Sequence, residues 1–171
     1  TAPLKMQAYK YISNSVENSL DFIQAVNTVK YIYYDSNAGN LGNFLGFNTD
    51  GNGLLKDLMV NKKCQIKNKD IVVLGAGAVV REILFDLINQ KPKSLTIINR
   101  NSFKSELIKN DYNDYCKKNN IYCYENIECC SYEQLEHSKI DSDILSNGVP
   151  KSLRSAPKLK TKKLTDKLLE A

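Results

Sequence analysis

Apolar positions along the chain change spacing several times, and each change marks an element. Leu4, Ala8, Tyr11 and Ile12 share one helical face, and Val16, Leu20 and Ile23 share another, so residues 5–26 read as one or two helices. Residues 25–34 are β-branched and aromatic, which predicts a strand. Turn residues fill Asp35 to Asn43, and Phe44 to Phe47 reads as a short returning strand that completes a hairpin. Asn48-Thr49-Asp50 precedes Leu54, Leu55, Leu58 and Met59, the pattern of an N-cap followed by an amphipathic helix to about Asn61. A polar link follows from Lys62 to Lys69. It divides the chain into residues 1–61 and 62–171.

The second part opens on Lys69 to Leu74, a short aliphatic run suited to a strand buried on both faces of a parallel sheet. Gly75-Ala76-Gly77 ends it. Val79 to Leu87 reads as a helix, Leu95 to Ile98 as the next strand and Ser102 to Asn119 as a polar helix. Ile121 to Tyr124 reads as a third strand, Tyr132 to His137 as a short helix or turn, and Asp143 to Leu145 as a fourth strand. Strand and helix in alternation predict an α/β protein with a doubly wound, mostly parallel, right-handed sheet.

Composition narrows the class. The chain has 171 residues, 42% hydrophobic and 25% charged, which excludes collagenous and wholly disordered proteins. The net charge of +5 is local: of 24 Lys and Arg and 19 Asp and Glu, residues 151–171 hold seven and two, leaving 17 of each before them. This basic end lacks interleaved aromatics, so it reads as a solvated face and no nucleic-acid partner is expected. No apolar run reaches the roughly 18 residues of a spanning helix, so no membrane partner is expected either. Five Cys (64, 116, 123, 129 and 130) are an odd number, and a single His offers no imidazole pair for zinc. Free thiols, no metal and a cytoplasmic, reducing compartment are the expectation.

Gly75-Ala76-Gly77-Ala78-Val79-Val80 sits where a strand turns into a helix. The first glycine allows the tight turn, the second lets backbone N–H groups approach a diphosphate, and the helix N-terminus adds positive partial charge. The third glycine of a GxGxxG pattern is replaced by Val80. Enzymes that take NAD usually place a carboxylate at the end of the second strand, to hold the ribose 2′-hydroxyl. Here that strand ends Ile98-Asn99-Arg100-Asn101-Ser102, with no carboxylate until Glu106. Arg100 offers a planar fork for a 2′-phosphate and Lys104 a second positive charge, so NADP is expected over NAD.

Three polar positions lie upstream. Taken singly, Lys5 is a solvated charge, Asn27 a turn residue and Asp50 a helix cap. Taken in order, Thr-x-Pro-x-Lys at Thr1 to Lys5, Ala-Val-Asn-Thr at Ala25 to Thr28, Gly-x-Asn-Thr-Asp-x-x-Gly at Gly46 to Gly53, Val-Leu-Gly-Ala-Gly at Val73 to Gly77 and Asn99-Arg100 form a series. This series resembles the shikimate dehydrogenase family over residues 1 to about 150.

The resemblance implies two α/β domains flanking a cleft. Residues 1–61 would be part of the substrate domain with its linking helix, and residues 62–171 a Rossmann-like NADP-binding domain with an irregular C-terminal part. It implies NADPH-dependent, reversible reduction of 3-dehydroshikimate to shikimate, in the chorismate and aromatic amino acid pathway. By the same resemblance, Lys5 matches the catalytic lysine and Asp50 its partner. Thr1, Asn27 and Asp50 match positions that bind substrate hydroxyls. Gly75, Ala76, Gly77, Ala78 and Val79, with Asn99, Arg100, Asn101 and Lys104, match the cofactor sites. Alternatives are a quinate-using relative and a non-catalytic dinucleotide-binding remnant. The family's N-terminal strand and Ser-x-Ser carboxylate site have no counterpart here, nor has its C-terminal helix with a Gln, and Gln24 stands where a Gly is usual. The expectation is a fragment or shortened copy, one part of a longer multidomain chain, with little activity by itself.

Overall fold

The computed structural model describes residues 4–12, 20–32, 43–137 and 144–147. Two short helices open it, α1 (Lys5–Ile12) and α2 (Leu20–Ile23). A hairpin follows, β1 (Thr28–Ile32) and β2 (Asn43–Phe47), antiparallel with Thr28 opposite Phe47 and Ile32 opposite Asn43. Helix α3 (Asp50–Lys56) continues into a wider π turn over Asp57–Asn61. Then come β3 (Asp70–Leu74), α4 (Ala78–Asn89), β4 (Ser94–Ile98), α5 (Ser102–Asn119), β5 (Ile127–Cys130), α6 (Tyr132–His137) and β6 (Ile144–Asn147).

Strands β3 to β6 form one parallel sheet in the order β5-β4-β3-β6. The order reverses between β3 and β6, and the C-terminal ends of strands at such a reversal are where open α/β sheets bind ligands. The predicted α/β class and parallel sheet are therefore found. Alternation along the strands divides the core. Ile71, Val73, Leu95 and Ile97 pack with Val80, Leu84 and Leu87 of α4 and with Ile108, Tyr112 and Cys116 of α5. Val72, Leu74 and Ile98 point to the opposite face, with Cys130 and Tyr132. Each fully buried Leu or Ile contributes about 1.5–3 kcal/mol of transfer free energy. The main core also takes in Leu20, Phe22, Ile23 and Val26, so α2 and the head of the hairpin are packed onto the nucleotide-type sheet.

The helix expected over Ser102–Asn119 has those bounds, and Asn101 caps it by accepting from the Phe103 N–H at 3.0 Å. The third strand is a correction. It lies at Ile127–Cys130, not at Ile121 to Tyr124. The earlier segment is held to α5 instead: the Tyr124 N–H donates to the Tyr112 hydroxyl at 3.2 Å, and the Tyr124 hydroxyl donates to the Pro92 carbonyl at 3.1 Å. Tyr124 is buried in this connection while Ile121 and Tyr122 are exposed, so the strand propensity of the segment is overridden by the tertiary contacts of Tyr124.

Two backbone features shape the region near the site. Gln24, just past α2, has φ 55°, and its N–H closes the helix on the Leu20 carbonyl at 2.7 Å. This left-handed position is where a glycine costs least, which gives a physical reason for the glycine usual there in the family this segment resembles. A Gln24→Gly substitution is expected to gain up to about 1 kcal/mol, the relief of the left-handed strain less glycine's added chain entropy. Urea unfolding checks it. Gly51 is the point where α3 meets α4: a Cβ there would overlap the Asp86 side chain, whose own Cβ lies 3.0 Å away. Among the described residues, no helix is long and apolar enough to cross a membrane.

Candidate active site

The site begins with three segments far apart in sequence. Lys5 starts α1, Asn27 stands just before β1, and Asp50 starts α3 immediately after the hairpin. The fold brings them together. Lys5 Nζ donates to Asp50 Oδ2, and Asn27 Nδ2 donates to Asp50 Oδ1 at 2.7 Å. The Asn27 carbonyl oxygen accepts from the Thr49 N–H at 3.1 Å, the Thr49 hydroxyl at 3.2 Å and the Thr28 hydroxyl at 2.9 Å. Asp50 is not the helix cap that its position alone suggests. Thr49 occupies the cap position, its hydroxyl turned to Asn27 and making no capping bond, and the Asp50 carboxylate is committed to Lys5 and Asn27.

Placement of these groups follows from the backbone. The Lys5 carbonyl accepts from the Val26 N–H at 2.9 Å, and the Asn27 N–H donates to the Phe47 carbonyl at 3.1 Å. The start of α1 is thus tied to the segment that carries Asn27, and that segment to the end of β2. Thr1, also expected at the substrate site, lies outside the described residues.

A fourth group was missed by the sequence reading. Glu82 of α4 is only 3% exposed, and its Oε2 accepts from Lys5 Nζ at 2.7 Å and from Asn48 Nδ2 at 3.2 Å. Asn48 also donates to the Ala25 carbonyl at 3.1 Å, and its own oxygen accepts from the Asp50 N–H at 3.0 Å. The available signal was a charged residue set among Val80, Ile83, Leu84 and Leu87, on the buried face of α4.

Electrostatics follow from this arrangement. Burial works against the Lys5 ammonium, but its hydrogen bonds with Asp50 and Glu82, and their charge, raise its pKa above the ordinary lysine value. Asp50 is held below the usual carboxylate range by hydrogen bonding with Glu82, Lys5 and Asn27, against partial burial. Glu82 goes the other way: burial, and then its hydrogen bond with Asp50, push it up, although Lys5 and Asn48 favour its charged form. The result is a lysine kept charged, an ionised aspartate beside it, and a buried acid behind them. Such an arrangement can deliver a proton to an oxygen that gains negative charge.

The glycine turn lies on the other side of α4's first turns. Gly75 has φ 101°, a backbone available at no steric cost to glycine, and Gly77 caps α4 with no side chain blocking the helix N-terminus. A Cβ on Gly77 would meet nothing within 4 Å. Ala76, Gly77, Ala78, Arg81 and Lys104 help line a cavity of about 350 Å³ that also reaches Gln24. Asn99, Arg100 and Asn101 occupy the turn from β4 to α5, with Asn99 Nδ2 donating to the Asn101 carbonyl at 2.8 Å. Val79, Arg100 and Lys104 are exposed. All nine expected cofactor positions therefore fall at the C-terminal ends of β3 and β4 or at the helix starts that follow. Among the described residues, no three His, Cys, Asp or Glu side chains converge as they would for a metal ion, and all five cysteines are free.

Comparison with known proteins bears on this geometry. Residues 57–139 match the sequence profile of the shikimate / quinate 5-dehydrogenase family. An NADP(+) shikimate dehydrogenase of Chromobacterium violaceum is 33% identical over 155 residues, 91% of this chain and 50% of that protein. Among solved structures, an Ael1 enzyme from Pseudomonas putida superposes with a TM-score of 0.70 at 26% identity, covering 87% of this chain and 47% of that one. A chorismate mutase/shikimate 5-dehydrogenase fusion protein from Clostridium acetobutylicum gives 0.62 at 26% identity, covering 91% and 47%. The chain spans about half the length of the curated relatives it matches.

Proposed function

We propose that this chain, similar to the shikimate / quinate 5-dehydrogenase family over residues 57–139 and 33% identical to an NADP(+) shikimate dehydrogenase over 155 residues, carries the reacting centre of an NADPH-dependent oxidoreductase that reduces 3-dehydroshikimate reversibly to shikimate. The observation that carries this reading is the convergence of Lys5, Asn27 and Asp50 from positions as far as 45 residues apart into one hydrogen-bonded cluster. Residues 1–61 supply the substrate side and residues 62–171 the nucleotide side, with the boundary in the Lys62 to Lys69 link. The free thiols suit a cytoplasmic, reducing setting.

The residues present fit the cofactor. The start of α4, which has no side-chain cap, the bare backbone of Gly77 and the cavity beside it suit a diphosphate. Gly75, Ala76, Gly77, Ala78 and Val79 would hold that part. Asn99, Arg100, Asn101 and Lys104 would hold the 2′-phosphate end, where positive charge is exposed and no carboxylate competes. When bound, NADPH supplies the hydride. The chain's own task is to bind, orient and protonate.

In the reducing direction the substrate carbonyl oxygen gains negative charge as its carbon receives hydride. Lys5 Nζ gives one proton to that oxygen: an N–H bond breaks, an O–H bond forms, and the amine is left neutral. Asp50 keeps Lys5 charged before the step and fixes its direction. Asn27, whose Nδ2 carries two hydrogens and makes one bond to Asp50, is suited to donate to a substrate hydroxyl next to the reacting carbon. Thr1 is assigned to a second hydroxyl by the family resemblance. In the oxidising direction the neutral amine takes the proton back.

The test is consumption of NADPH in the presence and absence of 3-dehydroshikimate. Substrate-dependent loss of NADPH absorbance supports the proposal. NADPH binding without any substrate-dependent consumption would point to a dinucleotide-binding role alone.

A further inference from the structure

We propose that Glu82 is a positioning residue of this site, a buried second carboxylate that holds the Lys5 ammonium jointly with Asp50 and ties it to the helix opening at the glycine turn. The inference rests on the reading of Lys5 as the proton donor and adds a residue to it.

The geometry is specific. Glu82 Oε2 lies 2.7 Å from Lys5 Nζ and 3.2 Å from Asn48 Nδ2. The side chain is 3% exposed, so it touches neither solvent nor a ligand in the cleft. It therefore acts through Lys5. A carboxylate in such a place is costly to bury unless it is paired and hydrogen-bonded. Packing does not require it, since the neighbouring positions on that face of α4 are Val80, Ile83, Leu84 and Leu87. The charged and titratable groups facing Lys5 are Asp50 from α3 and Glu82 from α4. The neutral amides Asn27 and Asn48 fill the rest of the cluster, and Asp86, one turn further along α4, faces Gly51.

The arrangement has two consequences. Lys5 is gripped from both sides of the molecule, by Asp50 on the segment that follows the hairpin and by Glu82 on the nucleotide-side helix. Glu82 also lies one turn beyond the start of α4, where the diphosphate would bind, so the lysine and the glycine turn share one rigid element. Removing the Glu82 carboxyl group leaves Asp50 as the one remaining acidic partner of Lys5 among the described residues and makes the amine easier to deprotonate.

Competitive acetylation of the 171-residue chain across a pH series, read for each lysine by peptide mass spectrometry with exposed Lys56 as reference, tests this directly. Only the neutral amine reacts, so the midpoint of labelling against pH reports the charge state of Lys5 independently of its accessibility. In Glu82→Gln the midpoint for Lys5 is expected to fall by about one unit or more, an increase of about tenfold in neutral amine at a fixed pH below it. Glu82→Asp, which keeps the charge but withdraws it, is expected to fall between the two. An unchanged Lys5 midpoint in folded Glu82→Gln protein would overturn the proposal. Loss of the fold in both variants would overturn it too, because Glu82 would then serve packing alone. The readout needs no substrate: a shifted midpoint in a protein that never consumes 3-dehydroshikimate would sink the proposed reaction and leave the Lys5–Glu82 coupling standing.

Discussion

Replacing Lys5 by Met is expected to lower turnover of 3-dehydroshikimate by about 10²–10⁴-fold, the usual contribution of a positioned acid or base, while the dissociation constant for NADPH stays unchanged. The asymmetry follows from where Lys5 sits. Its Nζ is engaged by Asp50 and Glu82, whereas the proposed cofactor positions lie at the glycine turn and at the end of β4. Met keeps the aliphatic length and removes the proton donor and the charge. It also leaves Glu82 and Asp50 facing each other without a cation, so the fold must be checked by thermal unfolding in the same preparation. Steady-state rates and NADPH titration, measured side by side, separate the two effects. Normal turnover in the variant would remove Lys5 from the reaction.

Arg100→Gln is expected to weaken NADPH binding by about 10–100-fold and to leave NADH binding nearly as it was. The size is that of one charge-assisted hydrogen-bonding group lost, about 1.5–3 kcal/mol. Arg100 follows β4 directly and is exposed at the sheet edge where the ribose end of a dinucleotide is read. Its fork matches a phosphate in a way a lysine does not, so Arg100→Lys should recover only part of the loss. Lys104, in the first turn of α5, is expected to limit the deficit by supplying a second charge. Fluorescence titration with both nucleotides decides it. Equal losses for NADPH and NADH would mean that Arg100 does not read the 2′-phosphate.

Much of the sheet was legible because its local and global signals agree. The aliphatic run before Gly75, the capped helix after Asn101 and the strand between them have periods that admit one interpretation each. The third strand failed because Ile121-Tyr122-Cys123-Tyr124 has better strand composition than Ile127-Glu128-Cys129-Cys130. Only the hydrogen bonds of Tyr112 and Tyr124, and pairing of Leu95 with Ile127, decide between them. Lys5, Asn27 and Asp50 were legible as a set and not one by one, since each also suits a bland surface role. Glu82 showed only as a charge on the buried face of α4, not as a member of the site. Its neighbours spell an ordinary buried helix face, and its partners, Lys5 and Asn48, are 77 and 34 residues away. Spacing along one helix carries no trace of such a contact.

The most direct test is a crystal structure with NADP+ and 3-dehydroshikimate, a pair that cannot react with each other. The ketone oxygen is expected within hydrogen-bonding distance of Lys5 Nζ, about 2.7–3.2 Å, with the nicotinamide ring against the same carbon and the diphosphate at Gly77. A ring that faces away from Lys5 and Asp50, or a ketone bound elsewhere in the cleft, would contradict it.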